Sequence, residues 1–378
     1  MSDRVAGAQR AMTDAPAGAV VERLAEALAK EYGVGEAELF LVDYRLAALM
    51  PLADGAPVTR PGDPAWRCFD HQSEVPAGRS AYVPVTVRGE RLGVLRYAPA
   101  PNDADARAEL AEVATLLAHE LQSAATGTDR YTVAARNRRL TLAAEMQWEL
   151  LPGRSRVRPS FSLAGQLEPA YAVHGDSFDW AEYDDRLYVA VLNGMGEGVT
   201  AALLTSLATQ ALRNARRAGL ELTDQAALAD QAVFAQYRGA THVAALLLEL
   251  DPRTGVVVAI DAGSPRLLLL RDGEVLDRPL DAQFPLGMFE TSEYVAQRVP
   301  LQPADRLFVV SDGVVDAANA SGRYGEAALH RFIRRTGPLP PLQAVRSLLG
   351  DLRSFLGDGD LDDDAVVVCL DWNGSEAR

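Results

Sequence analysis

The sequence predicts an α+β protein of two domains joined by a helix. Residues 16–127 run helix, strand, loop, hairpin, helix, the order of a small domain with an antiparallel sheet. From residue 160 the pattern changes to many short strand-like runs broken by four helical ones. Between them lies a helical stretch that ends sharply at Pro152-Gly153. With 378 residues and 48% hydrophobic composition, the chain can build a core in each domain.

Taken in order, residues 1–15 read as a disordered leader without the apolar core of a signal peptide. Secretion is therefore not expected, and a cytoplasmic location is. "VVERLAEALAKE" (20–31) has apolar residues at helical spacing, and "AELFLVDYRL" (37–46) reads as a strand with Asp43 near its end. "PLADGAPVTRPGDP" is rich in Pro, Gly and Asp and reads as a loop; Trp66, Cys68 and His71 cluster in "AWRCFDH", which reads as a loop packing onto the sheet, with a ligand or haem site as the alternative. "SAYVPVTVRGERLGVLRYAP" is a hairpin turning at Arg88-Gly89-Glu90, and "ADARAELAEVATLLAHELQSA" an amphipathic helix. A linker helix is expected over 128–153. Its Leu140, Ala144, Gln147 and Leu151 follow the 4-3-4 spacing of a paired helix. Such a stripe serves a dimer seam or docks on the next domain.

In the second domain, residues 154–373, the strands are expected to form two mainly antiparallel layers covered by two helical layers. "DPRTG" and "RDGE" supply hairpin turns. The formal net charge of -15 argues against a nucleic-acid partner held through its phosphates. No apolar stretch approaches the ~20 residues that a bilayer span requires, so no membrane is expected as partner. Cys68 and Cys369, the only cysteines, make neither a disulfide framework nor a zinc motif.

Four acidic or near-acidic positions fall at the ends of predicted strands. They are Asp176 in "HGDSFDW", Asn193 in "LNGMGEG", Asp312 in "VVSDGVVD" and Asp363 in "LDDDAVVV". Carboxylates at strand ends beside glycine gather hard oxygen ligands around Mg²⁺ or Mn²⁺, and glycine lets a backbone carbonyl approach as a further ligand. Each Asp-Gly alone is a turn signal, but the ordered set says more.

That set resembles the metal-dependent PPM-type serine/threonine phosphatases, in particular their SpoIIE/RsbU-like bacterial branch. The resemblance covers about residues 140–372. It rests on "LEPAYAVHGDSFDW", "NGMGEGVTAALL", "AIDAGSPRLLLL", "FPLGM" with "VPLQPADRLFVVSDGVVDAAN", and "DDDAVVVCLDW". "LAAEMQWELLP" resembles the linker that precedes the phosphatase domain in such regulators. The hairpin with its closing helix resembles a GAF-type sensory domain, whose ligand is unknown. The resemblance implies an αββα sandwich that hydrolyses phosphoserine or phosphothreonine on a regulatory protein, often of anti-anti-sigma type. It implies two Mn²⁺ or Mg²⁺ ions that activate a water for in-line attack. Carried onto this chain, Asp176 and the Gly194 carbonyl hold one ion, Asp312 and Asp363 the other, and position 193 bridges them. Asp364 is a neighbour that tunes the site. Asp179 and Asp316 support it or play plain turn and capping roles. The linker seam implies a homodimer.

Four positions depart from the family pattern. Asn193 stands where the bridging aspartate is expected; a neutral amide bridges two cations poorly, and the missing charge is worth several kcal/mol, or orders of magnitude in rate. His174 replaces a glycine, Ser264 a frequent histidine, and Glu197 a common histidine at a helix start, where an acidic residue is favourable in any case. Two readings follow: a slow or metal-hungry phosphatase, and a pseudophosphatase that grips a phosphoprotein without turning it over.

Overall fold

The computed structural model describes residues 1–170, 173–277, 280–320, 322–357, 359 and 361–375. Tyr171 and Ala172 of the "LEPAYAVHGDSFDW" segment thus lie outside the described residues. The chain divides into two compact units, Met1–Arg139 and Leu140–Arg378.

The first unit opens with helix α1 (Asp3–Thr13), which corrects the expected disordered leader. Ser2 caps it by accepting from the Val5 N–H at 3.3 Å. Val5, Ala8 and Met12, at helical spacing, are buried in the unit's core, so this segment folds because it has an apolar face to cover. Helix α2 (Val20–Tyr32) follows and ends at Gly33 in the left-handed region. Strands β1 (Glu36–Val42) and β2 (Leu49–Pro51) lead to helix α3 (Pro64–His71). Here "AWRCFDH" is helical rather than a loop. Asp63 caps it and Pro64 occupies the first turn, where its missing N–H costs nothing. Trp66 and Cys68 are buried while His71 is exposed.

Strands β3 (Val75–Ala77), β4 (Ser80–Val87) and β5 (Glu90–Ala98) complete an antiparallel sheet ordered β2-β1-β5-β4-β3. Helix α4 (Ala104–Ala124) buries Leu110, Val113 and Leu117 in the same core as Leu24, Leu39, Val83 and Leu95. The expected continuous linker helix is two pieces: α5 (Arg130–Ala134) in the first unit and α6 (Leu142–Leu150) in the second. The run Arg136-Asn137-Arg138-Arg139 between them offers no apolar side chain to bury, and Thr141 then caps α6 by accepting from the Ala144 N–H.

The second unit continues with β6 (Ser155–Val157), β7 (Phe161–Glu168), β8 (Asp176–Tyr183), β9 (Arg186–Gly194), α7 (Gly198–Arg217) and α8 (Leu222–Tyr237). Strands β10 (Val243–Asp251), β11 (Val256–Ala262), β12 (Arg266–Arg271), β13 (Glu274–Asp277), β14 (Gln297–Pro300) and β15 (Arg306–Val310) follow. The chain then makes α9 (Asp312–Val315), the short pair β16 (Ala318–Asn319) and β17 (Gly322–Arg323), α10 (Gly325–Arg335), α11 (Pro341–Leu356) and β18 (Ala365–Trp372).

One antiparallel sheet is ordered β14-β11-β10-β9-β8 and the other β13-β12-β15-β18-β7-β6. Their inner faces close on one apolar core with Leu163, Phe178, Val191, Leu248, Leu269, Val309 and Val368. Helices α7 and α8 cover the first sheet, with Leu204, Ala208 and Val233 against Leu247 and Ile260. Helix α11 lies on β7 and β18 of the second. Two helical layers therefore enclose two sheets. Among the described residues no helix is long and apolar enough to cross a membrane.

Candidate metal centre

The strand pair β8–β9 sets the first two positions. Asp176 opens β8, Asn193 lies one residue before the end of β9, and the two are direct antiparallel partners. Cross-strand partners project to the same face, so the two side chains stand side by side. The corner after Asn193 depends on Gly194. A Cβ there would lie 2.2 Å from Thr205 Oγ1 on α7, whose hydroxyl donates to the Gly175 carbonyl at 2.6 Å. Gly194→Ala must displace this bonded pair. It is expected to destabilise the unit by about 1–3 kcal/mol in chemical denaturation, whereas wild-type stability would mean that the corner yields freely.

Asp312 and Asp363 come from the other sheet. Asp312 leaves β15 and begins α9. The following glycine is obligatory, since a Cβ on Gly313 would lie 2.0 Å from the Asp364 carbonyl oxygen. Asp312 Oδ1 accepts from Asn193 Nδ2 at 2.8 Å and from the Gly313 N–H at 3.1 Å. The first of these bonds joins the two sheets at the site. Asp363 precedes β18, accepts from the Asp364 N–H at 2.7 Å and faces His174, with Nδ1 3.8 Å from Oδ1. The structure thus links Asp176 to Asn193 by register and Asn193 to Asp312 by a hydrogen bond, with Asp363 close enough to feel Asp312. Gly194 lies beside them at the strand end, its N–H donating to the Gly175 carbonyl at 3.2 Å.

The electrostatics are those of crowded carboxylates. Asp176 is fully buried, and neither carboxylate oxygen meets a hydrogen-bond partner. Burial pushes its carboxyl well above the usual range, and Asp364, Asp363 and Asp312 push the same way. The nearby Ser311 hydroxyl, which donates to the Asp364 carbonyl at 3.4 Å, favours the ionised form. Burial, then the charge of Asp312, raises Asp363 to about 6, with His174 opposing. An orphaned buried carboxylate beside two repelling ones is the setting that a cation relieves. Among the described residues, however, no three of His, Cys, Asp and Glu are gathered closely enough to hold a metal ion. Asn193 also offers no charge between the two halves.

Three residues that hold this site together were not identified from sequence as doing so. Asp364 is an anchor with all its capacity used inside the protein. Its Oδ1 accepts from the Ala170 N–H at 2.8 Å, and its Oδ2 from Gln147 Nε2 at 2.8 Å, His174 N–H at 2.8 Å and Gly175 N–H at 3.1 Å. Gln147 on α6 also donates to the Asp176 carbonyl at 3.0 Å. It belongs to the apolar stripe predicted for the linker, and its burial there was the available signal: a polar residue in such a stripe needs a polar partner. Ala144 of the same stripe packs with Val173 and Ala202 within the second unit. Arg213 on α7 donates to Asp179 Oδ1 at 2.8 Å and to the Leu150 carbonyl at 2.6 Å, tying the end of α6 to β8.

Asp179 is buried and also accepts from Arg216 at 3.2 Å. Asp179→Ala leaves two largely buried guanidinium groups without their carboxylate. An expected loss of about 3–5 kcal/mol in denaturant unfolding follows, and a loss below ~1 kcal/mol would show the pair to be idle. Asp316, by contrast, caps α9, its N–H donating to the Asp312 carbonyl at 2.8 Å, and its side chain meets Arg323 at 3.0 Å on the surface. Glu197 is exposed at the start of α7 and makes no capping bond. Ser264 lines a cleft of about 510 Å³ with Asp261, Arg266, Asp277 and Asp312.

Comparison with known proteins bears on this geometry. The family model described as "Stage II sporulation protein E (SpoIIE)" matches residues 183–373, which include Asn193, Asp312 and Asp363. Among solved structures, the RsbU and RsbW domains of Rv1364c from Mycobacterium tuberculosis align over 60% of this chain and 64% of theirs, at 21% identity and a TM-score of 0.52. The SiaA-PP2C domain of Pseudomonas aeruginosa aligns over 56% of this chain and 85% of its own, at 22% identity and 0.49. The phosphatase domain with a regulatory fragment of SpoIIE from Bacillus subtilis aligns over 57% and 64%, at 17% identity and 0.46. At these identities the likeness speaks for the fold, and the first of the three carries it. Comparison with curated protein sequences finds no match.

Proposed function

The chain belongs to the SpoIIE family, whose phosphatase fold its second unit adopts, and on that premise we propose that it is a metal-dependent protein serine/threonine phosphatase. The observation that supports this reading is the strand pairing of Asp176 with Asn193 and the hydrogen bond from Asn193 to Asp312, with the buried, unpartnered carboxylate of Asp176 among them. We read Asp312 and Asp363 as the residues that would hold one divalent ion, Mn²⁺ or Mg²⁺, and Asp176 with the Gly194 carbonyl as those that would hold the second, with Asn193 between them. Such an ion supplies charge neutralisation for phosphoryl oxygens and a more acidic water.

The chain's own groups do the positioning. Asp364 and Gln147 fix the turn before β8 and thereby the backbone of Asp176. Asn193 orients Asp312. The cleft beside Asp312 gives a phosphorylated side chain room to approach, and Arg266 on its wall is ion-paired with Glu326. The substrate we infer is phosphoserine or phosphothreonine on a regulatory protein of anti-anti-sigma type. The support is the sequence resemblance together with the RsbU name of one structural neighbour. We read the first unit as a GAF-like sensory domain on the strength of its five-stranded antiparallel sheet and covering helices. A homodimer and a cytoplasmic setting belong to the same reading.

The second reading, a pseudophosphatase that binds a phosphoprotein, is favoured by one observation: the amide of Asn193 is already engaged with Asp312. Phosphate release from a phosphoserine protein, with and without Mn²⁺, separates the two. The phosphatase reading expects Mn²⁺-dependent release that Asp363→Ala abolishes. Binding of the phosphoprotein without release would favour the pseudophosphatase.

A further inference from the structure

Residues 280–296 lie between β13 and β14, and two glutamines hold them as a narrow ribbon. Gln283 donates from Nε2 to the Val295 carbonyl at 2.9 Å and accepts from the Val295 N–H at 2.6 Å. Gln297 does the same to Asp281, donating to its carbonyl at 3.1 Å and accepting from its N–H at 2.8 Å. A side-chain amide carries the donor and acceptor of a peptide group, so both pairs replace ladder bonds. Towards the tip, buried Asp230 on α8 accepts from the Gly287 N–H at 2.7 Å and from the hydroxyls of Ser292 at 3.2 Å and Tyr294 at 3.1 Å. The ribbon is thus pinned along its length.

What it displays is apolar. Phe284 and Phe289 pack edge to face with ring centroids 4.7 Å apart, yet Phe284 is 60% exposed and Phe289 43%. Val295, clamped to Gln283, is 66% exposed. Apolar side chains held together in water mark a surface that a partner covers. The ribbon also borders the candidate site. Leu280 lines the cleft beside Asp312, and the Gln283 N–H donates at 2.8 Å to the carbonyl of Asp261, which lines it too. Leu286 and Val243 exchange backbone hydrogen bonds at 2.8 and 3.0 Å, and Val243 is the strand partner of Gly194. Phe284 therefore lies between a residue tied to the cleft wall and one tied to the strand end beside Asn193.

The charges around the pair choose its occupant. The exposed charged residues of 280–296 are Asp281, Glu290 and Glu293, all acidic. A second copy of the chain would bring the same acidic residues against themselves, and an anionic lipid surface would be repelled. A basic protein segment with a large apolar side chain is complementary on both counts. We propose that Phe284, Phe289 and Val295 form the docking surface for the protein substrate, which places there an apolar side chain flanked by lysine or arginine near its phosphorylated residue. That the docked protein is the substrate rests on the phosphatase reading, while the surface itself rests on the ribbon.

The test is binding of dye-labelled phosphoserine peptides to the full chain, followed by fluorescence anisotropy in chelator so that none is hydrolysed. One peptide carries leucine and arginine on both sides of the phosphoserine. A second has serine for each leucine, and a third glutamate for each arginine. The native chain is expected to bind the first about tenfold more tightly than either of the others. Phe284→Ser with Phe289→Ser should erase the preference for leucine, and Glu290→Lys with Glu293→Lys should turn the preference for arginine into one for glutamate. All four positions are exposed, and circular dichroism checks that each variant is folded. Equal binding of the peptides by the native chain, or preferences that survive in these variants, would overturn the proposal. So would a native dimer in sedimentation that the double serine variant takes apart, since a second copy would then cover the pair. Phosphate release from the first peptide with Mn²⁺ keeps the readings apart. Binding that depends on the phenylalanines without release sinks the phosphatase reading alone, and release without that dependence sinks only the docking surface.

Discussion

Asp364→Ala is expected to unfold the second unit at markedly lower denaturant, with a loss of about 3–5 kcal/mol. The carboxylate accepts from the N–H groups of Ala170, His174 and Gly175 and from Gln147. Alanine leaves those buried donors without an acceptor, and each orphaned donor costs about 1–3 kcal/mol before relaxation and water entry reduce the sum. Asp364→Asn is expected to fall between alanine and wild type. One of its two terminal atoms becomes a donor and must face a donor. Denaturant unfolding of the full chain, followed by a signal from the second unit, measures both. The effect should exceed that of Asp316→Ala, whose partner Arg323 lies on the surface. If Asp364→Ala and Asp316→Ala cost the same, Asp364 is not the anchor that its hydrogen bonds make it.

Asn193→Asp is expected to act in opposite directions with and without metal. Without metal it replaces a 2.8 Å hydrogen bond by two carboxylates in contact, which lowers stability. With Mn²⁺ the new carboxylate supplies the missing charge between the two halves of the site. Two unit charges about 4 Å apart interact by about 4 kcal/mol at an effective dielectric near 20. Desolvating the buried carboxylate offsets part of this. A net gain of about 3 kcal/mol in the transition state corresponds to roughly a hundredfold in rate. The variant should therefore melt below the native chain in chelator, melt above it in Mn²⁺, and turn over phosphoserine about a hundred times faster.

The fold of the second unit was largely legible in the sequence, because its strands are short apolar runs ended by Asp-Gly and Gly-rich turns. The candidate positions were read from the same signal: Asp176, Asn193, Asp312 and Asp363 sit at or beside strand ends, and Gly194 and Gly313 mark the close approaches. What sequence did not reveal was long-range. Gln147 reaches Asp364 across 217 positions and Arg213 reaches Asp179 and Leu150, and no local pattern encodes such partners. In the first unit, α1 was hidden by its small residues. "RVAGAQRAM" has only two large apolar side chains, and its burial depends on the helices and strands around it. Helix α3 could have been found. Asp63 before Pro64 is a capping residue followed by proline in the first turn, a start signal that the surrounding Pro- and Gly-rich loop obscured.

If these four strand-end positions form a hydrolytic metal centre, Asn193 limits its rate. This is tested most directly by Mn²⁺-dependent phosphate release from a phosphoserine protein, with the native chain and Asn193→Asp measured side by side. Both are expected to release phosphate, in a reaction that chelator abolishes, with a rate for Asn193→Asp about a hundredfold higher. Equal rates, or no release from a folded, Mn²⁺-loaded Asn193→Asp chain, would contradict this reading.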